Sequence, residues 1–181
     1  MGVTPPDDFD AGLVRRACRG DRASRATLLR ELQDVWYRFA YSMLRDEHAA
    51  RDAAQETGLR FLRGLGGFRG NSRLKTWSLG IALNVCREHT RKHTATPLPD
   101  EPLPGPGADP ALQAVETEGL DRLRQAVNDL PERQREAVVL RYFEELTLQE
   151  TADAMGCALG TAKATVSQAL SRLRETRGVN P

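Results

Sequence analysis

The residues in this chain best placed to do chemistry are hydrogen-bond donors and cations with no carboxylate among them. Near the C-terminus, Lys163, Ser167, Gln168, Ser171 and Arg172 share one side of a helical pattern, opposite an apolar stripe of Ala162, Val166, Leu170 and Leu173. Such side chains hydrogen-bond base edges and phosphate oxygens. Just upstream, Thr147 and Glu150 stand at capping-box spacing, which predicts a helix start with two backbone N–H groups satisfied reciprocally. Gly156 can take the left-handed conformation that ends this helix, and Cys157-Ala158-Leu159 is a turn-length interval before periodicity resumes. The result is a helix-turn-helix whose second helix fits a major groove. An amphipathic hairpin with a solvated polar face has the same pattern, so this stretch alone leaves both readings open.

Other chemistries find little support. No Ser/His/Asp set, phosphate-binding loop or paired-carboxylate constellation is present, so no enzyme is expected. Cys86, His89 and His93 lie along one side of a helix, but a structural zinc site takes four ligands and no fourth is evident. No metal or other cofactor is expected. Three scattered cysteines do not suggest a disulfide framework, and with no signal-like N-terminus the chain reads as reduced and cytoplasmic. No apolar run approaches membrane-spanning length, so no membrane insertion is expected.

The 181 residues carry a net charge of only +1, but the charge is unevenly placed. Arg60, Arg63, Arg69, Arg73, Lys75, Arg87, Arg91 and Lys92 face a single acid, Glu88, between positions 60 and 92. Asp100, Glu101, Asp109, Glu116 and Glu118 then follow in a stretch, from Thr94 to Glu118, without Lys or Arg. The basic segment is what a polyanion would meet.

These groups are positioned by helices. A helical pattern runs from Asp10 to Leu44, interrupted at Gly20-Asp21, and a further helix is predicted from about His48 to Leu65. A glycine-rich loop around Phe68 and Arg69 leads to a fourth helix, starting near Asn71 or Ser72 and ending near His93. Six prolines between Pro97 and Pro110 make that segment a linker. Helices over Leu112 to Leu130 and Pro131 to Leu146, with Pro131 at a first helical position, complete a second unit with the helix-turn-helix. The expected fold is all-α, with two small helical domains, 9–93 and 112–177, joined by a flexible Pro-rich acidic linker over 94–111.

In the third helix, Ala50, Ala54, Thr57 and Phe61 should face inward, and Asp52, Glu56, Leu59 and Arg63 outward, with Gln55 flanking. A stripe mixing acids, an amide and a Leu suits a protein contact as well as an ordinary surface. The fourth helix should bury Leu74, Trp77, Ile81 and Val85 and show Thr76, Asn84, Arg87 and Arg91 at its edge. With Phe68, Arg69 and Asn71 ahead of it, this combines phosphate-binding cations with rings on which an unstacked base can rest.

Taken in order, Asp52-Ala-Ala-Gln55-Glu56-Thr57, Phe68-Arg69-Gly70-Asn71-Ser72, Lys75-Thr76-Trp77, Leu130-Pro131-Glu132-Arg133-Gln134-Arg135-Glu136, Leu140-Arg141-Tyr142-Phe143 and Gly160-Thr161-Ala162-Lys163 resemble the motifs of bacterial RNA polymerase sigma factors of the extracytoplasmic-function subgroup. The resemblance covers both domains. It implies that Asp52, Gln55, Glu56, Leu59 and Arg63 bind core RNA polymerase. It implies that Phe68, Arg69, Asn71, Ser72, Arg73, Lys75, Thr76, Trp77, Asn84, Arg87 and Arg91 melt and read the minus-ten promoter element. Thr161, Lys163, Ala164, Thr165, Ser167, Gln168 and Arg172 would read duplex DNA at the minus-thirty-five element. An anti-sigma protein is a further partner that the resemblance leaves open, and a stand-alone helix-turn-helix regulator is the alternative function. The chain departs from the family's pattern at Gly58, where Phe is usual, and at Gly80 and Leu83, where basic residues are usual. Weaker phosphate attraction is expected from the last two. At Gly58 a bulky side chain must fill the space, and Trp36 of the preceding helix is the expected one.

Overall fold

The computed structural model describes residues 9–94 and 122–176, and every regular element among them is helical. α1 (Ala11–Cys18), α2 (Arg22–Leu44) and α3 (Glu47–Gly64) each follow an aspartate N-cap. The carboxylates of Asp10, Asp21 and Asp46 accept the backbone N–H of Leu13, Ser24 and Ala49 at 2.6, 2.8 and 2.6 Å. A 3-10 turn (Leu65–Gly67) leads into the loop before α4 (Leu74–Thr94). The second unit comprises α5 (122–128), α6 (Glu132–Val138), a π-helical turn (Val139–Phe143), α7 (Leu148–Met155) and α8 (Leu159–Thr176). The linker from 95 onward and the first part of the helix expected over 112–130 lie outside the described residues.

The helix-turn-helix forms as its residues dictate. Thr147 and Glu150 make both bonds of the capping box, and Gly156 ends α7 at φ 65°. Elsewhere three boundaries shift. α4 starts at Leu74 rather than at Asn71 or Ser72, because Gly70 at φ 70° and the bends that follow carry the chain until the Arg73 carbonyl accepts the Trp77 N–H. Pro131 is the N-cap residue of α6 rather than its first helical residue. That helix also ends earlier than Leu146, widening into the π turn that leaves Tyr142 and Phe143 exposed.

In the first unit Leu28, Leu32, Trp36, Phe39, Phe61, Leu65, Leu79 and Leu83 are fully enclosed. The inward face of α3 is Ala50, Ala53, Thr57, Gly58 and Phe61, with Ala54 only half-buried. α4 is buried on two sides. One side meets α2 and α3, while the other meets α7 of the second unit. For this reason Thr76, expected at an exposed edge, is buried, while Trp77 and Ile81, expected inside, are half-buried near the seam. Leu83 belongs to the core, so its position offers nothing to DNA. The direct packing of the two units is what the sequence pattern did not indicate. At Gly80 α4 and α7 lie close together: a Cβ there would lie 3.4 Å from the Ala154 carbonyl oxygen and 3.6 Å from its Cα.

Trp36 occupies the space opposite Gly58, as expected. A Cβ at position 58 would sit 3.4 Å from the indole Cζ3, and the indole N–H donates to Ser78 Oγ at 3.1 Å. Gly58→Phe should therefore overpack and destabilise by about 1–3 kcal/mol, and Trp36→Ala should cost about 3–5 kcal/mol. Because the two positions touch, the double variant should recover part of the loss. Denaturant melts of the four proteins check this, and strict additivity would contradict it.

Candidate nucleic-acid interface

The outer face of α8 is held open to solvent by the geometry just described. Ala162, Val166, Ala169 and Leu173 are buried against α6 and α7, and Leu170 is half-buried. Thr161, Lys163, Ala164, Ser167, Gln168, Ser171 and Arg172 are exposed. Thr165 is half-buried and its hydroxyl donates to the Thr161 carbonyl at 2.8 Å, turning it back onto its own helix. Beside this face an open groove is lined by Gln134, Ser167, Gln168, Ser171, Arg172 and Glu175. The side chains predicted to read duplex DNA are thus together, with Glu175 the one carboxylate lining that groove.

The loop and α4 carry a file of aromatic rings running outward from the core. Trp36 lies 5.2 Å from Phe61, Phe61 5.5 Å from Trp77, and Trp77 5.1 Å from Phe68, centroid to centroid. Trp77 and Phe68 are half-buried. A Cβ at Gly64 would come within 3.1 Å of the Trp77 ring, so only glycine lets the indole settle there without displacement. Arg69 and Asn71 are exposed beside these rings, Ser72 is half-buried, and Asn84 and Arg91 are exposed further along α4. Core-anchored rings beside an exposed cation suit base stacking on a single strand.

The remaining predicted contacts of α4 point elsewhere. Arg73 forms a two-pronged pair with Glu150 through Nε and Nη2, the latter at 2.6 Å from Oε2, and the Thr76 hydroxyl lies 3.3 Å from Oε1. Arg87 Nε and Nη2 donate to the two carboxylate oxygens of Glu136 at 2.7 Å each, and Arg133 adds a third bond at 3.2 Å. Lys75 donates to the Glu144 carbonyl at 3.1 Å and stands 3.3 Å from its carboxylate. Arg60 is engaged within the first unit by Glu56 and Glu88 at 2.7 Å. Half of the basic segment read from the sequence, Arg60, Arg73, Lys75 and Arg87, is therefore matched by carboxylates. Three of these, Glu136, Glu144 and Glu150, lie 49 to 77 residues from their partners. Sequence reasoning missed them; the one signal was Glu136 standing directly ahead of the apolar run Ala137-Val138-Val139-Leu140.

On α3, Asp52, Gln55, Leu59 and Arg63 are exposed, and Leu59 keeps half of its surface in water. Glu56 is half-buried through its bond to Arg60. No group of three or more His, Cys, Asp or Glu among the described residues is arranged to hold a metal, and no helix among them is long and apolar enough to cross a membrane.

Two carboxylates at the seam should respond oppositely to acid. Burial pushes Glu150 up, but the bonds from Arg73 and Thr147 outweigh it and hold the group at about 2 against an ordinary 4.5. A depressed carboxylate contributes stability that is present above its unfolded value and lost as pH falls toward the folded one. Burial pushes Glu144 up despite Lys75, so its ionised form is disfavoured and it contributes stability that fades as pH rises. Glu150→Gln should thus flatten the loss of stability between about pH 5 and pH 2, whereas Glu144→Gln should cost nothing at neutral pH. Thermal melts across pH check both.

The family described as Sigma-70 region 2 matches residues 28–96, and Sigma-70, region 4, matches residues 120–173. The RNA polymerase sigma-H factor of Pseudomonas aeruginosa is 32% identical over 173 residues, covering 88% of this chain and 89% of its own. The extracytoplasmic-function sigma factor SigM of Mycobacterium tuberculosis is 33% identical over 172 residues, covering 93% and 85%. Among solved structures, the sigma factor RpoE in complex with the anti-sigma factor NepR from Bartonella quintana superposes with a TM-score of 0.69 at 26% identity, over 86% of this chain and 98% of that one. With both regions matched in order and relatives aligned over most of their length, the chain belongs to the RNA polymerase sigma factors of the extracytoplasmic-function subgroup, non-enzymatic proteins that bind core polymerase and direct promoter recognition.

Proposed function

We propose a division of that family role among the three surfaces. The α3 stripe of Asp52, Gln55, Glu56, Leu59 and Arg63 docks on core polymerase. In the first unit, residues 9–93, the loop and α4 engage the minus-ten strand: Phe68 and Trp77 stack on unpaired bases, while Arg69, Asn71, Ser72, Arg73, Lys75, Thr76, Asn84, Arg87 and Arg91 bond backbone and base edges. In the second unit, residues 112–177, α8 reads the minus-thirty-five duplex through Thr161, Lys163, Ala164, Thr165, Ser167, Gln168 and Arg172. The work is done in the cytoplasm, where polymerase acts. The observation that carries the reading is the α8 face, exposed along its length and fixed by the capping box and the Gly156 turn. The sigma factor solved in complex with an anti-sigma factor supports a partner of that class for this chain as well.

Spacing bears on how the two DNA surfaces are used together. Elements centred about 25 base pairs apart are separated by roughly 85 Å of duplex at 3.4 Å per pair. With the helix expected over 112–130 kept, the 18 steps from Thr94 to Leu112 reach about 60–65 Å when extended and the ten from Leu112 to Arg122 add about 15 Å, so the breadth of the separated units must supply the rest of the span.

Replacing Lys163 by Ala should weaken promoter binding by the holoenzyme and reduce its salt slope by about one unit if the ammonium holds a phosphate. Titrations at several salt concentrations read this, and an unchanged slope with unchanged specificity removes Lys163 from the interface. Asp52→Arg with Leu59→Asp alters two exposed side chains, so the fold should persist while affinity for core polymerase falls by about tenfold or more. A pull-down with normal core affinity would disprove the α3 assignment.

A further inference from the structure

We infer that the hollow between α1 and the loop ahead of α4 is a binding site for a small aromatic anion, a flat apolar body bearing a sulfonate, phosphate or carboxylate. The hollow measures about 360 Å³, within the range of small-molecule sites. Its floor is apolar, made by Val14 and Cys18 from one face of α1 and by Phe68 from the loop. The two walls are held close together: a Cβ at Gly66 would lie 3.8 Å from the Cys18 carbonyl oxygen. Phe68 separates this hollow from the cleft at the seam. Its ring lies 5.1 Å from Trp77, which lines the cleft, while Phe68 itself lines the hollow. A flat guest can therefore meet the Phe68 ring without entering the cleft.

Three arginines stand at the rim, Arg15 on α1, Arg19 at its C-cap and Arg69 on the loop, and all three are exposed. Their neighbours are employed in holding α1 to α2: Arg16 donates to Ser24 Oγ at 3.2 Å and Arg25 to the Ala17 carbonyl at 2.9 Å. Among the described residues Arg15, Arg19 and Arg69 have no carboxylate at ion-pair distance, and no acid lines the hollow. Burial pushes the Cys18 thiol up, so the floor stays neutral and does not repel an anion. A guanidinium pairs with oxyanions and also lies on aromatic faces, so the rim suits the charged end of such a ligand as the floor suits its body. α1 precedes the residues matched to Sigma-70 region 2, which begin at 28, so one wall of the hollow lies outside that match. The other wall, Phe68 and Arg69, is given to the minus-ten strand by the reading proposed above, and the functional consequence rests on that reading. A bound anion withholds both residues from the strand, so ligand and promoter weaken each other's binding.

The test uses the full chain with anilinonaphthalene sulfonate as the probe. Fluorescence titration should show saturable binding of one probe per chain, and inorganic phosphate, which has the charge without the body, should not displace it at equal concentration. Arg15→Glu with Arg19→Glu alters two exposed side chains, so circular dichroism should be unchanged while probe affinity falls by about tenfold or more. Val14→Trp fills the floor and should remove the saturable binding from a chain that still melts cooperatively. With core polymerase added, saturating probe should lower promoter-dependent transcription by the parent several-fold. The double Glu variant should transcribe like the parent and resist the probe. Probe affinity indifferent to the charge reversal, or displacement by phosphate alone, would overturn the site. A double variant with impaired transcription and a reduced salt slope for promoter binding would also overturn it, because the rim would then be serving DNA. Failure of the underlying reading looks different: the probe binds the parent and not the variants, yet transcription proceeds undiminished with the hollow filled. That result removes Phe68 and Arg69 from the strand and leaves the site standing.

Discussion

The arrangement of the whole molecule turns on two arginine–carboxylate pairs, Arg87 with Glu136 and Arg73 with Glu150. Glu136 has no surface in contact with water, and Glu150 almost none. Taking a carboxylate out of water costs several kcal/mol even after relaxation, and the mutual attraction offsets that only when the geometry is good and the remaining lone pairs are filled. Both conditions hold: each guanidinium bonds both oxygens of its partner, Arg133 adds to Glu136, and Thr147 adds to Glu150. Pairs of this kind fix register strongly while contributing little net affinity, because attraction and desolvation nearly cancel. The seam between the units is thus specific in geometry and still separable.

The same pairs change the meaning of the basic segment. Read along the chain, positions 60 to 92 are a cationic surface in search of a polyanion. In the folded molecule Arg60 is matched by acids of its own unit, and Arg73, Lys75 and Arg87 by acids of the other. What stays exposed is Arg63, Arg69, Arg91 and Lys92 at the ends of the segment. The local excess of positive charge is real, but in the folded molecule four of its eight cations are already matched by carboxylates.

How much could be read in the residues follows from the range of the interactions involved. The capping box at Thr147 and Glu150 and the left-handed Gly156 act over three or four residues, and these were legible. The Trp36–Gly58 contact was legible too, because a hole in one helix demanded a large side chain in its neighbour. The faces of α4 were misjudged because periodicity reports one buried side, whereas this helix has two. The carboxylates that meet Arg73 and Arg87 lie across the linker, and no local rule pairs residues so far apart. The α3 stripe and the α8 face were legible in a weaker sense: their exposure follows from amphipathicity, and their occupants do not.

The file of rings from Trp36 through Phe61 and Trp77 to Phe68 has an optical consequence. Both tryptophans of the chain lie in it. Trp36 is sealed in the core and hydrogen-bonded to Ser78, which makes it a constant background to the emission. Trp77 lines the cleft between α4 and α7 together with Gly80, Ala154 and Met155, so its indole lies where the apolar wall of one unit meets the other. Parting the units exchanges that wall for water beside a single fluorophore. The molecule carries, unlabelled, a chromophore whose colour is tied to the distance between its halves.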